Sequence, residues 1–113
     1  MKRLTDYIRK VRVARELKSS AAMELRHRQE LAILGIVDEL ALACEDFPRI
    51  SYGRGAPGRD QVLYVWSSAD SSVVVRIQAL GKNEFTVQSG VGKKIREDRD
   101  GVLRYIAEKL RLF

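Results

Sequence analysis

The side chains in this sequence that could do chemistry are mostly cations. Arg9 and Arg12 lie near the start, Arg54 and Arg59 in a glycine-rich stretch, and Arg76 in a segment of alternating apolar and polar residues. Lys93, Lys94 and Arg96 form a short basic run. Guanidinium and ammonium groups donate charge-assisted hydrogen bonds to phosphate oxygens and carboxylates, so the expected partner is nucleic acid or an acidic protein surface. One histidine, His27 between Arg26 and Arg28, and one cysteine, Cys44, rule out an internal disulfide and a Cys-based zinc site. They also leave the usual histidine acid–base constellations unavailable. No metal and no cofactor is expected, and Cys44 reads as a small buried thiol.

The charge as a whole points the same way. Lys and Arg number 21 against 15 Asp and Glu, giving a net charge of +6 and a pI near 9.8. Residues 1–30 are strongly basic, 31–60 slightly acidic, and the remainder basic again. A positive field favours polyanionic partners, although the same charge also serves solubility alone. The most apolar run, residues 31–44, is cut by Asp38 and Glu39 and is too short to span a bilayer. The basic start lacks the uninterrupted apolar stretch of a signal peptide. With a single cysteine, these features make a cytoplasmic protein with no membrane role the expectation.

Two glycine-containing strings resemble nucleotide-binding motifs, but their surroundings do not support that chemistry. Gly53-x-Gly55-x-x-Gly58 is followed by Arg59 and Asp60 and then by a strand pattern. No helix N-terminus follows to receive a pyrophosphate, so the string reads as a hairpin loop. Gly92-Lys93-Lys94 resembles the end of a phosphate-binding loop, but position 87 is Val and position 94 is Lys where Gly and Ser or Thr are required.

The elements that must position the cations are legible in residues 61–91. Val73, Val75, Ile77 and Ala79, then Phe85, Val87, Ser89 and Val91, alternate with polar residues at the period of a half-buried strand. Pairing Ala79 with Phe85, Ile77 with Val87, Val75 with Ser89 and Val73 with Val91 brings both apolar faces together, whereas a one-residue slip turns one strand inside out. Gly81, Lys82 and Asn83 suit the connecting loop. The preceding turn, residues 67–72, is expected to put Val62, Tyr64 and Trp66 on that same core face. A base-stacking role for the two aromatics would need an open face instead. The opposite face would then carry Leu63, Val65, Val74 and Leu80, and would need a cover: the N-terminal segment, a second copy of the chain, or a partner.

Before the sheet, residues 4–44 have a helical stripe: Leu4, Ile8, Val11, Ala14, Ala22, Leu25, Ala32, Ile33, Ile36, Leu40 and Ala43, broken by Lys18 and Gln29. A continuous helix of that length spans about 60 Å. Either it bends near Ser19 and Ser20, or residues 1–20 project as a basic arm. Arg49 to Tyr52 reads as a short edge strand after Pro48. Asp98 or Asp100 suits the N-cap of a last helix with the stripe Leu103, Ile106, Ala107 and Leu110. The expected fold is a single α+β domain over 1–113. It has one long or two shorter N-terminal helices, a four-stranded antiparallel meander, and a C-terminal helix packed on the sheet. Its expected core is Ile33, Ile36, Leu40, Val75, Ile77, Val87, Leu103, Ile106 and Leu110.

The order of helix, strands, basic turn and helix resembles a double-stranded-RNA-binding domain. Gly90-Val91-Gly92-Lys93-Lys94 matches the segment whose lysines grip phosphates, and Gly55-Ala56-Pro57-Gly58 the loop between the first strands. This chain departs from that family in an extra strand and in the Ile-Arg-Glu-Asp that follows the lysines. The outline also resembles ribosome-dependent mRNA-interferase toxins through Val91-Gly92-Lys93-Lys94, although the first strand of that family is missing here. Neither resemblance assigns a family.

The resulting expectation is a small basic, non-enzymatic protein that contacts RNA or a ribonucleoprotein through phosphate contacts from Arg9, Arg12, Arg54, Arg59, Arg76, Lys93, Lys94 and Arg96. The alternatives are a small regulator or inhibitor, of phage or mobile-element type, docked on a larger protein, or an RNase-type toxin. In a toxin, Lys, Arg and Tyr52 or Tyr64 would carry the acid–base work. A homodimer through the N-terminal helix or the second sheet face is a further expectation.

Overall fold

The computed structural model describes residues 3–55 and 61–110. The first helix, α1, is unbroken from Leu4 to Asp46, so the bend considered at Ser19 and Ser20 does not occur. Serine in a helix interior costs only about 0.5 kcal/mol relative to alanine, and no proline stands between Leu4 and Asp46 to interrupt the hydrogen-bond ladder. At about 1.5 Å per residue, its 43 residues reach roughly 65 Å and account for the 71 Å long axis of the molecule. Asp6 accepts a hydrogen bond from the Arg3 backbone N–H at 3.2 Å, holding the first turn.

Only the C-terminal part of α1 packs. Ile33, Ile36 and Leu40 are buried, whereas residues 3–28 are exposed throughout. The first part therefore projects beyond the body as an arm. The chain then forms β1 (Ile50–Arg54), β2 (Val62–Ser67), β3 (Asp70–Ala79), β4 (Phe85–Ser89) and β5 (Ile95–Glu97), followed by α2 (Arg99–Leu110). The strands pair antiparallel in the order β1-β2-β3-β4-β5. The meander thus has five strands rather than four. Gly90, at φ +57°, turns the chain directly after Ser89. That early turn lets Ile95, Arg96 and Glu97 return along β4, and Val91 is exposed rather than paired with Val73.

The β3–β4 register is the expected one, with Ala79 opposite Phe85, Ile77 opposite Val87 and Val75 opposite Ser89. In β2 the phase differs from expectation. Leu63 lies opposite Ile77 and Val65 opposite Val75, so Leu63 and Val65 face the core and are fully buried. Tyr64 and Trp66 face the other way. A register shift at Trp66 and Ser67 absorbs the mismatch between the two-residue turn and the longer β3.

Both helices pack on one face of the sheet. Ile33, Ile36 and Leu40 of α1 and Val102, Tyr105 and Ile106 of α2 share one core with Leu63, Val65, Val75, Ile77, Ala79, Phe85 and Val87. Of the expected core residues, Leu103 and Leu110 pack only partly buried against it. Asp98 caps α2 by accepting from Gly101 N–H at 2.8 Å, and Arg99 bridges to Glu39 of α1. Burying each large aliphatic side chain contributes about 1.5–3 kcal/mol, so this face holds the domain together. Among the described residues no helix is long and apolar enough to cross a membrane.

Candidate nucleic-acid interface

The pairing that buries one face of the sheet determines what the other presents. Directly opposed residues form a row across four strands: Gly53, Tyr64, Arg76 and Gln88. Beside it runs a second row, Val62, Gln78, Thr86 and Arg96. On the other side lie Ser51, Trp66 and Val74. None of these residues is Asp or Glu, and the helices lie on the opposite side. The face is therefore aromatic, cationic and amide-bearing.

Several local contacts set its geometry. The Arg76 guanidinium donates to Gln78 Oε1 at 3.3 Å, which holds it along the sheet surface. Tyr64, directly opposite, is 36% exposed. The six-membered ring of Trp66 reaches over Gly53, where a methyl group would lie 3.6 Å from Cη2. Gly53, Arg54, Tyr64, Trp66, Ser71 and Val74 together line a shallow depression of about 380 Å³. At the rim, Arg96 pairs with Glu84 at 3.5 Å. Both side chains are largely exposed, so that pair is weak and exchangeable.

The strand directions sort the expected cations. Arg54 closes β1 at the end of the sheet where the β3–β4 loop carries Lys82, and it borders the aromatic depression. Arg96 belongs to this end too, opposite Thr86 and beside Glu84, rather than with Lys93 and Lys94 as its place in sequence suggests. Lys93 and Lys94 sit exposed in the β4–β5 turn at the far end. Gln88 Nε2 donates to Gly92 O at 2.7 Å and ties that turn to the open face. Arg76 lies between the two groups.

Arg9 and Arg12 do not join this surface. They are exposed on the arm, at least about 24 Å along the helix from the first packed residues at 1.5 Å per residue, and they extend the helix layer rather than the sheet. Arg59 lies outside the described residues. Alternation in the sequence already sets Gln78, Thr86 and Gln88 beside Arg76 on the second face, as the pairing has them; Tyr64 and Trp66, expected on the core face, are the members it missed. The available signal was that Val62, Leu63, Tyr64, Val65 and Trp66 are apolar or aromatic in both phases, and the two with polar tips, Tyr and Trp, fall in the same phase.

Two other expectations shift with the same correction. The second face does not carry Leu63 and Val65; Val62, Tyr64 and Trp66 take their place beside Val74, and Val62 is buried. Tyr52, considered as an acid–base group, is half-buried and packed against the core. Among the described residues no group of three His, Cys, Asp or Glu side chains could hold a metal ion. Comparison with protein-family models, with characterised proteins and with solved structures returns no match, so this geometry alone carries the functional reading.

Proposed function

We propose that this is a non-enzymatic nucleic-acid-binding protein, with RNA or a ribonucleoprotein as its target and the open face of the sheet as its contact surface. The observation that carries the reading is the row Tyr64, Arg76 and Gln88, flanked by Gln78, Thr86 and Arg96, on the face turned away from both helices, with no carboxylate among the described residues of these rows. Cations along such a surface release condensed counterions when they meet phosphates, which supplies affinity independent of sequence. Amide and hydroxyl groups among them can donate to and accept from base edges and the ribose 2′-hydroxyl. Lys93 and Lys94 at one end and Arg96 toward the other extend the positive path beyond the aromatic centre.

The test is the anisotropy of labelled RNA and DNA titrated with the full chain at two salt concentrations. Binding that weakens steeply with salt and is reduced by Arg76→Gln supports the reading. A folded protein that binds neither nucleic acid at low salt overturns it.

A second reading is favoured by a different observation. Leu4, Ile8, Val11 and Leu25 lie exposed on the arm, on the stripe that α1 buries farther along. Arg15 and Lys18 interrupt that stripe, so its complement is an acidic, partly apolar segment of another protein. That reading predicts stoichiometric binding to a protein, only mildly salt-sensitive, and none to naked nucleic acid.

A further inference from the structure

We infer that the open face takes single-stranded nucleic acid, with unpaired bases stacked on Trp66 and Tyr64 and Arg76 set against the backbone between them. This inference rests on the nucleic-acid reading above and goes beyond it in naming the form of the ligand and how it is held.

Spacing is the first argument. Trp66 and Tyr64 are successive outward positions of β2, about 6.8 Å apart at a rise of 3.4 Å per residue. Nucleotides in one strand of a duplex rise only about 3.4 Å. Bases engaged by both rings must therefore be splayed out of a helix. A duplex keeps its base faces stacked on each other and offers a flat sheet only its backbone.

Room is the second. The depression beside the rings has Gly53 in its lining, and the absence of a side chain there lets the Trp66 ring lie down over β1. On every neighbouring strand the outward positions of that row carry side chains: Tyr64, Arg76 and Gln88. The gap thus falls where two aromatic rings border it.

Charge is the third. Arg76 is directly opposite Tyr64, so a phosphate leaving that ring meets a guanidinium. Base–aromatic stacking is tolerant of sequence because every base has a π-face. The expected ligand is accordingly any unpaired strand rather than one motif.

Trp66 is the one tryptophan in the chain, so intrinsic fluorescence reads this position directly. The experiment titrates the full chain with an end-labelled uridine dodecamer, an abasic phosphodiester of equal length and a duplex RNA. Label anisotropy and Trp66 emission are followed in the same samples. Saturable quenching by the uridine strand is expected, with affinity at least tenfold above that for the abasic strand and the duplex. Tyr64→Ala should weaken uridine-strand binding about tenfold to a hundredfold while leaving abasic binding unchanged. Gly53→Val keeps a strand-compatible residue and adds bulk in the depression. It should give the same selective loss, which guards against a folding defect in the first variant.

If the uridine and abasic strands bind equally and Trp66 emission does not move, the stacking platform is overturned while nucleic-acid binding stands. If none of the three binds to the folded protein, both inferences fall together.

Discussion

The two faces of this sheet are built from the same strands, yet they do opposite work. The inward residues of β2 and β3, Leu63, Val65, Val75 and Ile77, are all fully buried beneath two helices. The outward residues, Tyr64, Trp66, Val74 and Arg76, face away from both. Apolar content alone does not separate these sets, since Val62 and Val74 lie on the outward rows. They differ in that most outward side chains, Tyr64, Trp66, Arg76, Gln78, Thr86, Gln88 and Arg96, carry a polar tip that water or a ligand must satisfy, whereas Leu63, Val65, Val75 and Ile77 carry none. A face carrying Arg, Gln, Thr and Tyr cannot be sealed under a helix without leaving donors unpaired, at a cost of about 1–3 kcal/mol each.

The sharpest way to break the comparison is to truncate one residue on each face. Ile77→Ala should destabilise the protein by about 2–5 kcal/mol, through lost transfer energy and the cavity left behind. Tyr64→Ala should cost less than about 1 kcal/mol, the scale of a cross-strand pair. Urea denaturation checks both, and equal losses would mean that the open face is covered in solution.

The next effect is on binding rather than stability. Arg76→Gln removes a charged donor worth about 1.5–3 kcal/mol in a charge-assisted hydrogen bond, so RNA affinity should fall at least tenfold. The unfolding midpoint should stay nearly fixed. A large stability loss with unchanged affinity would make Arg76 a structural member of the sheet.

Smaller still is the turn. Replacing Lys93 and Lys94 by alanine should flatten the dependence of log K on log salt by up to about two. An unchanged slope removes the turn from the binding path. The smallest effect is expected on the arm, where Arg9→Ala with Arg12→Ala should change that slope less than the lysine pair does. A fall equal to that of the lysines would bring the arm into the same interface.

Helix α1 repeats the contrast along one element. Its stripe runs at one angle from Leu4 to Ala43, but only Ile33, Ile36 and Leu40 are buried. Periodicity reports which side of a helix is apolar. It does not report how far the sheet beneath extends. Here the sheet stops near Gln29, whose side chain reaches Leu80 O at 3.5 Å, and the arm continues past it.

Local pattern determined much of this protein. The hairpin register from Ala79 and Phe85 to Val75 and Ser89 followed from alternation, because a slip would turn the buried set of one strand outward. The helix ending before Pro48 and the C-terminal stripe were equally local, and local chemistry narrowed the second cap to Asp98 or Asp100, of which Asp98 is the one used. The phase of β2 was not, because Val62, Leu63, Tyr64, Val65 and Trp66 could bury either set of alternate residues. Which set went inward depended on the bulge at Trp66 and Ser67 and on a partner strand too far away for any short window to show. The fifth strand depended likewise on one left-handed glycine, Gly90, reversing the chain early enough for Arg96 to come back beside Thr86. The cations and aromatics were visible in the sequence from the start. Their gathering on one open face was decided by tertiary pairing, because strand phase and register set which neighbours a side chain meets.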